Sequence, residues 1–479
     1  MPAPDTSLPI VVDLDGSLIS NDLLHETASR FVSQQPRRCA ELLGWVRLGK
    51  ARLKKELWDA APVRVEHLAY HPELLTWLRQ EKARGRTLVL ASACAEGAAQ
   101  AVADHLGIFD LVLASDATTN LSSEAKADAL VARFGEQGFE YVGNHRHDLA
   151  VWRRAAVAHV VGGDRALLAK ATSTTRAGHS FDRPHDRARA WVRALRPHQW
   201  TKNSLIFVPL LSAHRISELD SVVAAVLAFV SFNLAASSVY LLNDIADVEN
   251  DRDHPTKRTR PFAAGTASLL AGWVAWPLLA LAALGLGLAV SPLLSAVLVV
   301  YLVVTTAYSL ALKRKPLIDV LTLAVLYTIR IVAGAAAVQV TLSTWLLSFS
   351  CFFFLSLALV KRVSELYRTR LTNSTAVGRG YRADDLELLS SYGVTTSVAS
   401  VLVFTLFISD EATAKLYDTP GLLWFSVPLI LAWLMRIWLL AHRGEMNEDP
   451  ILYAIRDRVS ICAGIAVVLI FLAATTLTV

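Results

Sequence analysis

The chain has 479 residues, 53% of them hydrophobic and 19% charged, with a formal net charge of +5. So apolar an average excludes an ordinary soluble enzyme. The Lys and Arg residues fall mostly between apolar runs, as topology signals do, so the basic balance is no sign of a nucleic-acid partner.

The N-terminus, MPAPDTSLPIVVDLDG, has neither a basic n-region nor a long apolar h-region, so no signal peptide is expected. The four cysteines are scattered without CxxC spacing, which fits a reducing compartment and argues against a metal cluster or disulfide framework. Residues 1–195 carry charge throughout and hold no uncharged run long enough to span a bilayer. IVVDLDGSL (10–18) reads as an apolar strand running into DxDG, and LVLASA (88–93) as a second strand ending near Ser92. SSEAKADAL brings Lys126, and FEYVGNHRHDLAVW (139–152) brings Asn144 and Asp148. Residues 18–80 read as helical, with LLHETASRFV and RRCAELLGWV amphipathic.

In this order the motifs resemble the haloacid dehalogenase-like (HAD) phosphohydrolases, an α/β parallel-sheet fold with a helical cap. The resemblance implies Asp13 as the nucleophile that takes the phosphoryl group, Asp15 as general acid/base, and Ser92 and Lys126 as phosphate contacts. It implies a Mg²⁺ site formed by Asp13, Asp15, Asp148 and the position of Asn144. The usual fourth motif is GDxxxD, whereas this chain has GNHRHD. An amide there weakens the attraction for a cation and leaves the phosphatase activity open. The expected domains are 1–162 for this fold, 163–195 for a linker ending in the basic amphipathic DRARAWVRAL, and 196–479 for a membrane domain.

Beyond Lys202, uncharged runs predict nine spans, at 203–214, 221–242, 267–289, 293–312, 317–339, 344–360, 388–409, 420–440 and 459–479. The first is the shortest. Lys and Arg concentrate in the connections 243–266, 313–316, 361–387 and 441–458. By the positive-inside rule these loops and the N-terminal domain face the cytoplasm of a plasma-membrane protein, and nine spans put the C-terminus outside.

The cytoplasmic end of the second span reads YLLNDIADVENDRDHPTKRTRP, with five acidic and four basic residues in 18 positions. Asp244, Asp247 and Asp251, at i, i+3 and i+7, are expected on one helical face. Such a cluster suits Mg²⁺, which takes a few carboxylates together with substrate phosphate oxygens. Asn243 precedes it, and Lys257, Arg258 and Arg260 follow as phosphate contacts. RPHQWTKN places Lys202 and Asn203 before the first span. In YSLALKRKPLIDVLTLAVLYTIRIVAG, Lys313 and Asp319 flank a helix entry, with Tyr327 and Arg330 on the same helix. An unpaired Arg330 at that depth costs at least about 2.5 kcal/mol, so a phosphate or Asp partner is expected. Lys361 and Arg362 close the sixth span, as phosphate contacts or as anchors. Asp384 and Asp385 read as a loop-to-helix feature, and EDPILYAIRDR has no assigned role.

NDxxDxxxD followed by HPxKxxRP, nine spans and a second polar motif resemble the UbiA superfamily of intramembrane prenyltransferases over residues 190–479. The second DxxxD motif of its aromatic-acceptor members is reduced here to Asp319. RPHQWTKN, YSLALK and LVKRVSEL look closer to the branch that makes decaprenylphosphoryl-5-phosphoribose. That resemblance implies Mg²⁺-dependent transfer of 5-phosphoribose from phosphoribosyl pyrophosphate to a polyprenyl phosphate, for cell-envelope glycans. A fused phosphatase would suit removal of the 5-phosphate from that product. Two other functions compete. One is an aromatic prenyltransferase using a prenyl diphosphate in quinone synthesis. The other is a transporter or lipid-binding protein with an inactive HAD domain, against which the clustering of polar residues at one face counts. A homo-oligomer remains open.

Overall fold

In a computed structural model the described residues are 8–116, 120–162, 165–173, 175–182, 187–371, 380–446 and 449–476. The chain divides into two compact units, one of Met1–Leu195 with Tyr240–Trp276 and the other of Arg196–Val239 with Pro277–Val479.

The first unit is built on a six-stranded, wholly parallel sheet in the order β3-β2-β1-β4-β5-β6. Its strands are β1 (Ile10–Val12), β2 (Leu88–Ala95), β3 (Leu111–Ser115), β4 (Glu140–Gly143), β5 (Val157–Val161) and β6 (Arg176–Phe181). β1 is apolar along its length because it is covered on both faces, with Ile10 and Val12 in one core cluster and Val11 in another. Strand order reverses between β1 and β4, so the crevice at their carboxyl ends is where a parallel sheet binds ligands. Asp13 directly follows β1 and Asn144 directly follows β4. Helices Leu23–Gln34, Glu41–Arg47 and Lys50–Ala60 form the cap expected after β1, packed through Phe31, Trp45 and Leu57.

The expected linker at 163–195 is mostly structured. It holds helix Arg165–Thr172, and β6 extends the sheet in parallel with β5. β6 reads RAGHSF and is exposed along most of its length, so it lacks the apolar pattern that announces a strand. Helix Arg187–Leu195 is the amphipathic segment, burying Ala190 and Ala194.

The second unit is helical. Among the described residues eight helices are long and apolar enough to cross a membrane: α1 (Leu219–Ala246), α2 (Leu269–Val290), α3 (Pro292–Leu310), α4 (Ile318–Val338), α5 (Thr344–Arg368), α6 (Leu386–Ser409), α7 (Pro420–His442) and α8 (Arg458–Thr476). They carry exposed apolar side chains such as Val303, Leu402 and Val468, as a surface solvated by lipid does. α5, α6 and α7 pack where Gly393 admits the ring of Trp438, whose indole N–H reaches Ser397 Oγ at 2.8 Å and Ser356 Oγ at 3.0 Å.

The remaining expected span, 203–214, is not a long α-helix. It is a 3₁₀ helix, Pro197–Phe207, continued by the short α-helix Val208–Ser212. Thr201 and Ser204 hydroxyls bond carbonyls three residues back, and Pro209 lacks an N–H, so the regular α ladder is broken. At ordinary helical rises these two pieces reach about 30 Å, the thickness of a bilayer core. The segment runs antiparallel to α1, pairing Trp200 with Ser237 and Asn203 with Asn233, and lies along α4 from Arg330 to Val338.

Gly334 makes this packing tolerable, because a Cβ there would stand 2.0 Å from the Ile206 carbonyl oxygen. Gly334→Ala is expected to cost about 1–3 kcal/mol of stability in detergent by overpacking. Gly285→Ala, where nothing lies within 4 Å, is expected to change stability by no more than about 1 kcal/mol. Equal thermal unfolding midpoints for the two variants would contradict the close approach.

Candidate functional site

The N-terminal constellation gathers around Lys126, which is buried with Asp13. Lys126 Nζ donates to Asp13 Oδ1 at 2.6 Å and to the Tyr141 hydroxyl at 3.2 Å, and Tyr141 in turn donates to Asp148 Oδ1 at 2.9 Å. Ser17 Oγ lies 3.4 Å from Asp13 Oδ2 and 3.3 Å from Asn144 Oδ1. Burial, opposed by Lys126 and reinforced by Asp148, lifts the Asp13 carboxyl to about 6. Burial again, with Asp22 and Asp13 nearby, lifts Asp15 to about 8, so at neutral pH Asp15 holds a proton it can give. Asp15 Oδ1 accepts the Leu23 N–H at 2.8 Å, and Ser92 Oγ accepts the Cys94 N–H at 3.1 Å.

Asp148 is occupied with its own loop. Its Oδ2 accepts the backbone N–H groups of Asn144 and His145, each at 2.9 Å. That arrangement presents the Asn144 amide over Gly16, whose φ of +73° and lack of Cβ leave room for it. Asp13, Lys126, Asn144 and Asp148 are therefore brought together. The crowded, desolvated Asp13 and Asp15 carboxyls suit a cation, whereas Asn144 supplies only a neutral oxygen. A polar cavity of about 870 Å³ in this unit is lined by Asn21, His25, His71, Asn144, His145 and Thr266, among others.

In the aspartate-rich stretch the expected single helical face is interrupted. α1 ends at Ala246, Asp247 caps the short helix Val248–Asp253, and Asn243 contributes its carbonyl to the Asp247 N–H at 3.0 Å. Asp244 and Asp251 still meet. Both carboxylates are buried and converge on Arg260 Nη1, at 3.1 Å and 2.7 Å. Burial raises the Asp251 carboxyl, with Arg260 opposing. Two carboxylates converging on one cationic point fit Mg²⁺, which completes its shell with phosphate oxygens and water. Among the described residues no three His, Cys, Asp or Glu side chains are grouped as metal ligands, so the expected triad is a pair here, with Asp247 at the hinge. Lys257 and Arg258 lie in an exposed 3₁₀ turn, Lys257–Thr259, and Arg260 is the cation at the carboxylates.

In the second unit the expected residues fall into three groups. Asp449 Oδ2 receives Lys202 Nζ at 2.9 Å and Lys361 Nζ at 3.1 Å, with the Tyr327 hydroxyl 3.5 Å from Oδ1. Burial disfavours the Asp449 carboxylate, but the two lysines outweigh it and hold the group well below the usual range. Arg330 donates to Asn203 Oδ1 at 2.7 Å, and Asn203 Nδ2 donates to Asn233 Oδ1 at 2.6 Å. The Arg330 guanidinium lies 5.1–5.7 Å from the ring centres of Tyr327, Phe232 and Tyr301. Arg330 thus has an amide and three rings as partners, where a phosphate or an Asp was expected.

Asp319 belongs to neither group. It is fully buried, paired with Arg362 at 2.5 Å and bonded by the Tyr381 hydroxyl, while Arg362 also reaches Glu365 and Tyr308. Arg362 is correspondingly structural rather than a lipid anchor. Lys313 sits in the 3₁₀ turn Leu312–Arg314, among the charged connections. Asp385 accepts the Arg382 N–H at 2.7 Å in the turn that leads into α6, a loop-to-helix feature. Asp449 went unassigned because its partners are 88 and 247 residues away; the only local signal was an acid before Pro450 beside a membrane span. An apolar cavity of about 720 Å³ opens beside this cluster, lined by Lys202, Leu205, Phe353, Trp433, Ile461 and Leu469, among others. A second, of about 450 Å³, shares Leu205, Phe353 and Trp433.

Residues 204–456 match the UbiA prenyltransferase family, and residues 10–153 match the haloacid dehalogenase-like hydrolases. The chain is 36% identical to an uncharacterized protein, y4nM, of Sinorhizobium fredii, over 95% of this chain and 89% of that one. It is 35% identical to the nodulation protein NoeC of Azorhizobium caulinodans, over 59% and 92%. It is 33% identical to decaprenyl-phosphate phosphoribosyltransferase of Mycobacterium tuberculosis, over 56% and 88%. The chain is a multi-pass membrane enzyme of the UbiA prenyltransferase family, carrying an N-terminal haloacid dehalogenase-like domain.

Proposed function

We propose that the chain transfers 5-phosphoribose from phosphoribosyl pyrophosphate to a polyprenyl phosphate, and that the N-terminal domain then hydrolyses the 5-phosphate. One observation carries the reading: Lys202 belongs both to the Lys361–Asp449 cluster and to the wall of the 720 Å³ apolar cavity. A lipid phosphate needs that pairing of a cationic end with an apolar channel. The name of the mycobacterial relative points the same way.

In the transfer, the ribose C1–oxygen bond to pyrophosphate breaks as a lipid phosphate oxygen bonds to C1. The nucleophile is already an anion, so no general base is required. Asp244 and Asp251 would hold Mg²⁺, which when bound would supply positive charge against that developing on the departing pyrophosphate. Arg260, released from the carboxylates, meets pyrophosphate oxygens with Lys257 and Arg258. Lys202 and Lys361 orient the lipid phosphate, and Arg330 holds Asn203 in register.

In the second step Asp13 attacks the 5-phosphate and forms an aspartyl-phosphate. Asp15 protonates the departing ribose oxygen, then takes a proton from the water that attacks the aspartyl-phosphate. The Asp13 O–P bond breaks, inorganic phosphate leaves and both carboxyl groups are restored, with Lys126 balancing the charge at Asp13. Tethering places this domain at high effective concentration near the first product. With the charged connections cytoplasmic, the N-terminal domain faces the cytosol. Eight helices plus the Pro197–Ser212 crossing then put the C-terminus outside.

Purified protein in detergent, with Mg²⁺, decaprenyl phosphate and labelled phosphoribosyl pyrophosphate, is expected to move label into the lipid phase. Asp244→Ala is expected to reduce that at least 100-fold, and Asp13→Asn to leave the 5-phosphate on the lipid. No label in the lipid would sink the reading in favour of prenyl transfer to an aromatic acceptor.

Asp319 tests the same choice, since aromatic-acceptor relatives use an acidic second motif. Breaking a buried pair costs about 3–5 kcal/mol. Asp319→Asn is therefore expected to lower the unfolding midpoint while leaving KM for phosphoribosyl pyrophosphate within about twofold. A KM raised tenfold at an unchanged midpoint would make Asp319 a substrate ligand.

A further inference from the structure

Helix Val248–Asp253, which carries Asp251, is too short to hold itself in place, since a helix of six residues makes few internal bonds. Its position is set by what it touches, and it touches the cap of the N-terminal domain. Arg252 Nη2 and Nη1 reach the two carboxylate oxygens of Glu26 at 2.6 Å and 3.1 Å, with both side chains sealed from solvent. Asn21 Nδ2 donates to the same carboxylate at 2.9 Å, and Arg252 Nε donates to the Ala263 carbonyl at 3.0 Å.

Neighbouring contacts repeat the theme. Arg30 pairs with Glu249, Arg64 lies 3.1 Å from Asp253, His67 meets Asp253, and the Trp273 indole N–H donates to Ser29 Oγ at 2.6 Å. Glu26 stands in the first turn of helix Leu23–Gln34, and the first N–H of that helix donates to Asp15. One helical turn therefore joins the acid of the hydrolase constellation to the arginine beside Asp251.

We propose that Glu26 is a positioning residue for the transferase: through Arg252 it holds Asp251, and with it the Asp244–Asp251 pair, in the geometry that binds a divalent cation and pyrophosphate. The cap is then a structural part of the transferase centre, whatever the hydrolase does. This rests on the reading of Asp244 and Asp251 as the cation-binding pair.

The test uses full-length protein carrying Glu26→Gln, Arg252→Gln or both, with Glu41→Gln, which loses only an exposed pair with Arg38, as control. The first readout needs no turnover: amide hydrogen exchange over 248–253, with and without Mg²⁺ and inorganic pyrophosphate. The second is the Mg²⁺ concentration that half-saturates phosphoribosyl transfer. Each single variant leaves a buried charge without its partner, whereas the double variant leaves two neutral amides. Each single variant is expected to exchange at least tenfold faster, to lose the protection given by Mg²⁺ and pyrophosphate, and to need at least fivefold more Mg²⁺. The double variant recovers most of each effect, and Glu41→Gln shows none.

The proposal is overturned if the single variants exchange like wild type or keep their protection. It is equally overturned if the double variant shows the sum of the single effects, or if Mg²⁺ dependence stays unchanged while transfer proceeds. Should wild type be protected yet move no label into lipid, the phosphoribosyl reading falls, and loss of protection in Glu26→Gln still decides for the clamp.

Discussion

A carboxylate withdrawn from water must find a cation or give up its charge, and the candidate centres of this protein are arranged around that constraint. Asp13 has Lys126, Asp449 has Lys202 and Lys361, Asp319 has Arg362, Glu26 has Arg252, and Asp244 shares Arg260 with Asp251. The pairs differ in how well they are sealed. Arg362 and Asp319 are 1% and 0% exposed, and neither can exchange its partner without opening the core. Arg260 and Lys361 are each 31% exposed while their carboxylates are buried. Those cations can be reached from solvent.

The same constraint bears on the two positions where the sequence departs from the expected motifs, Asp319 and Asn144. With Asp319 committed to Arg362 and Tyr381, the second acidic motif has become part of the packing. In the N-terminal domain, Asn144 replaces a carboxylate where Asp13 and Asp15 already crowd each other, which reduces repulsion and cation attraction together. The remaining acid of that motif, Asp148, is held by two backbone N–H groups and Tyr141, which set the loop that carries Asn144.

The division of the chain does not follow the order of the sequence. Residues 240–276 lie within the matched UbiA region, yet they form one compact unit with the N-terminal sheet. Arg252, beside Asp251, and the cap helix are therefore neighbours, although more than 200 residues separate Glu26 from Arg252.

Composition and local pattern by themselves determined a great deal. The continuous apolar runs marked α1 to α8, because a helix in lipid must be apolar over its whole length. The apolar strands of 10–18 and 88–93 marked β1 and β2, and DxDG and NDxxDxxxD marked the acidic centres, since these signals sit within a few consecutive residues. β6 escaped notice, since an exposed edge strand has no apolar face to display. The segment Pro197–Ser212 read only as a short span, because a 3₁₀ path advances farther per residue than an α-helix and its first residues are polar. What tertiary structure alone decided was partnership: Asp449 with two lysines, Asp319 with Arg362, and Glu26 with Arg252. Pairing energy depends on distance in space, and separation along the chain carries no record of it.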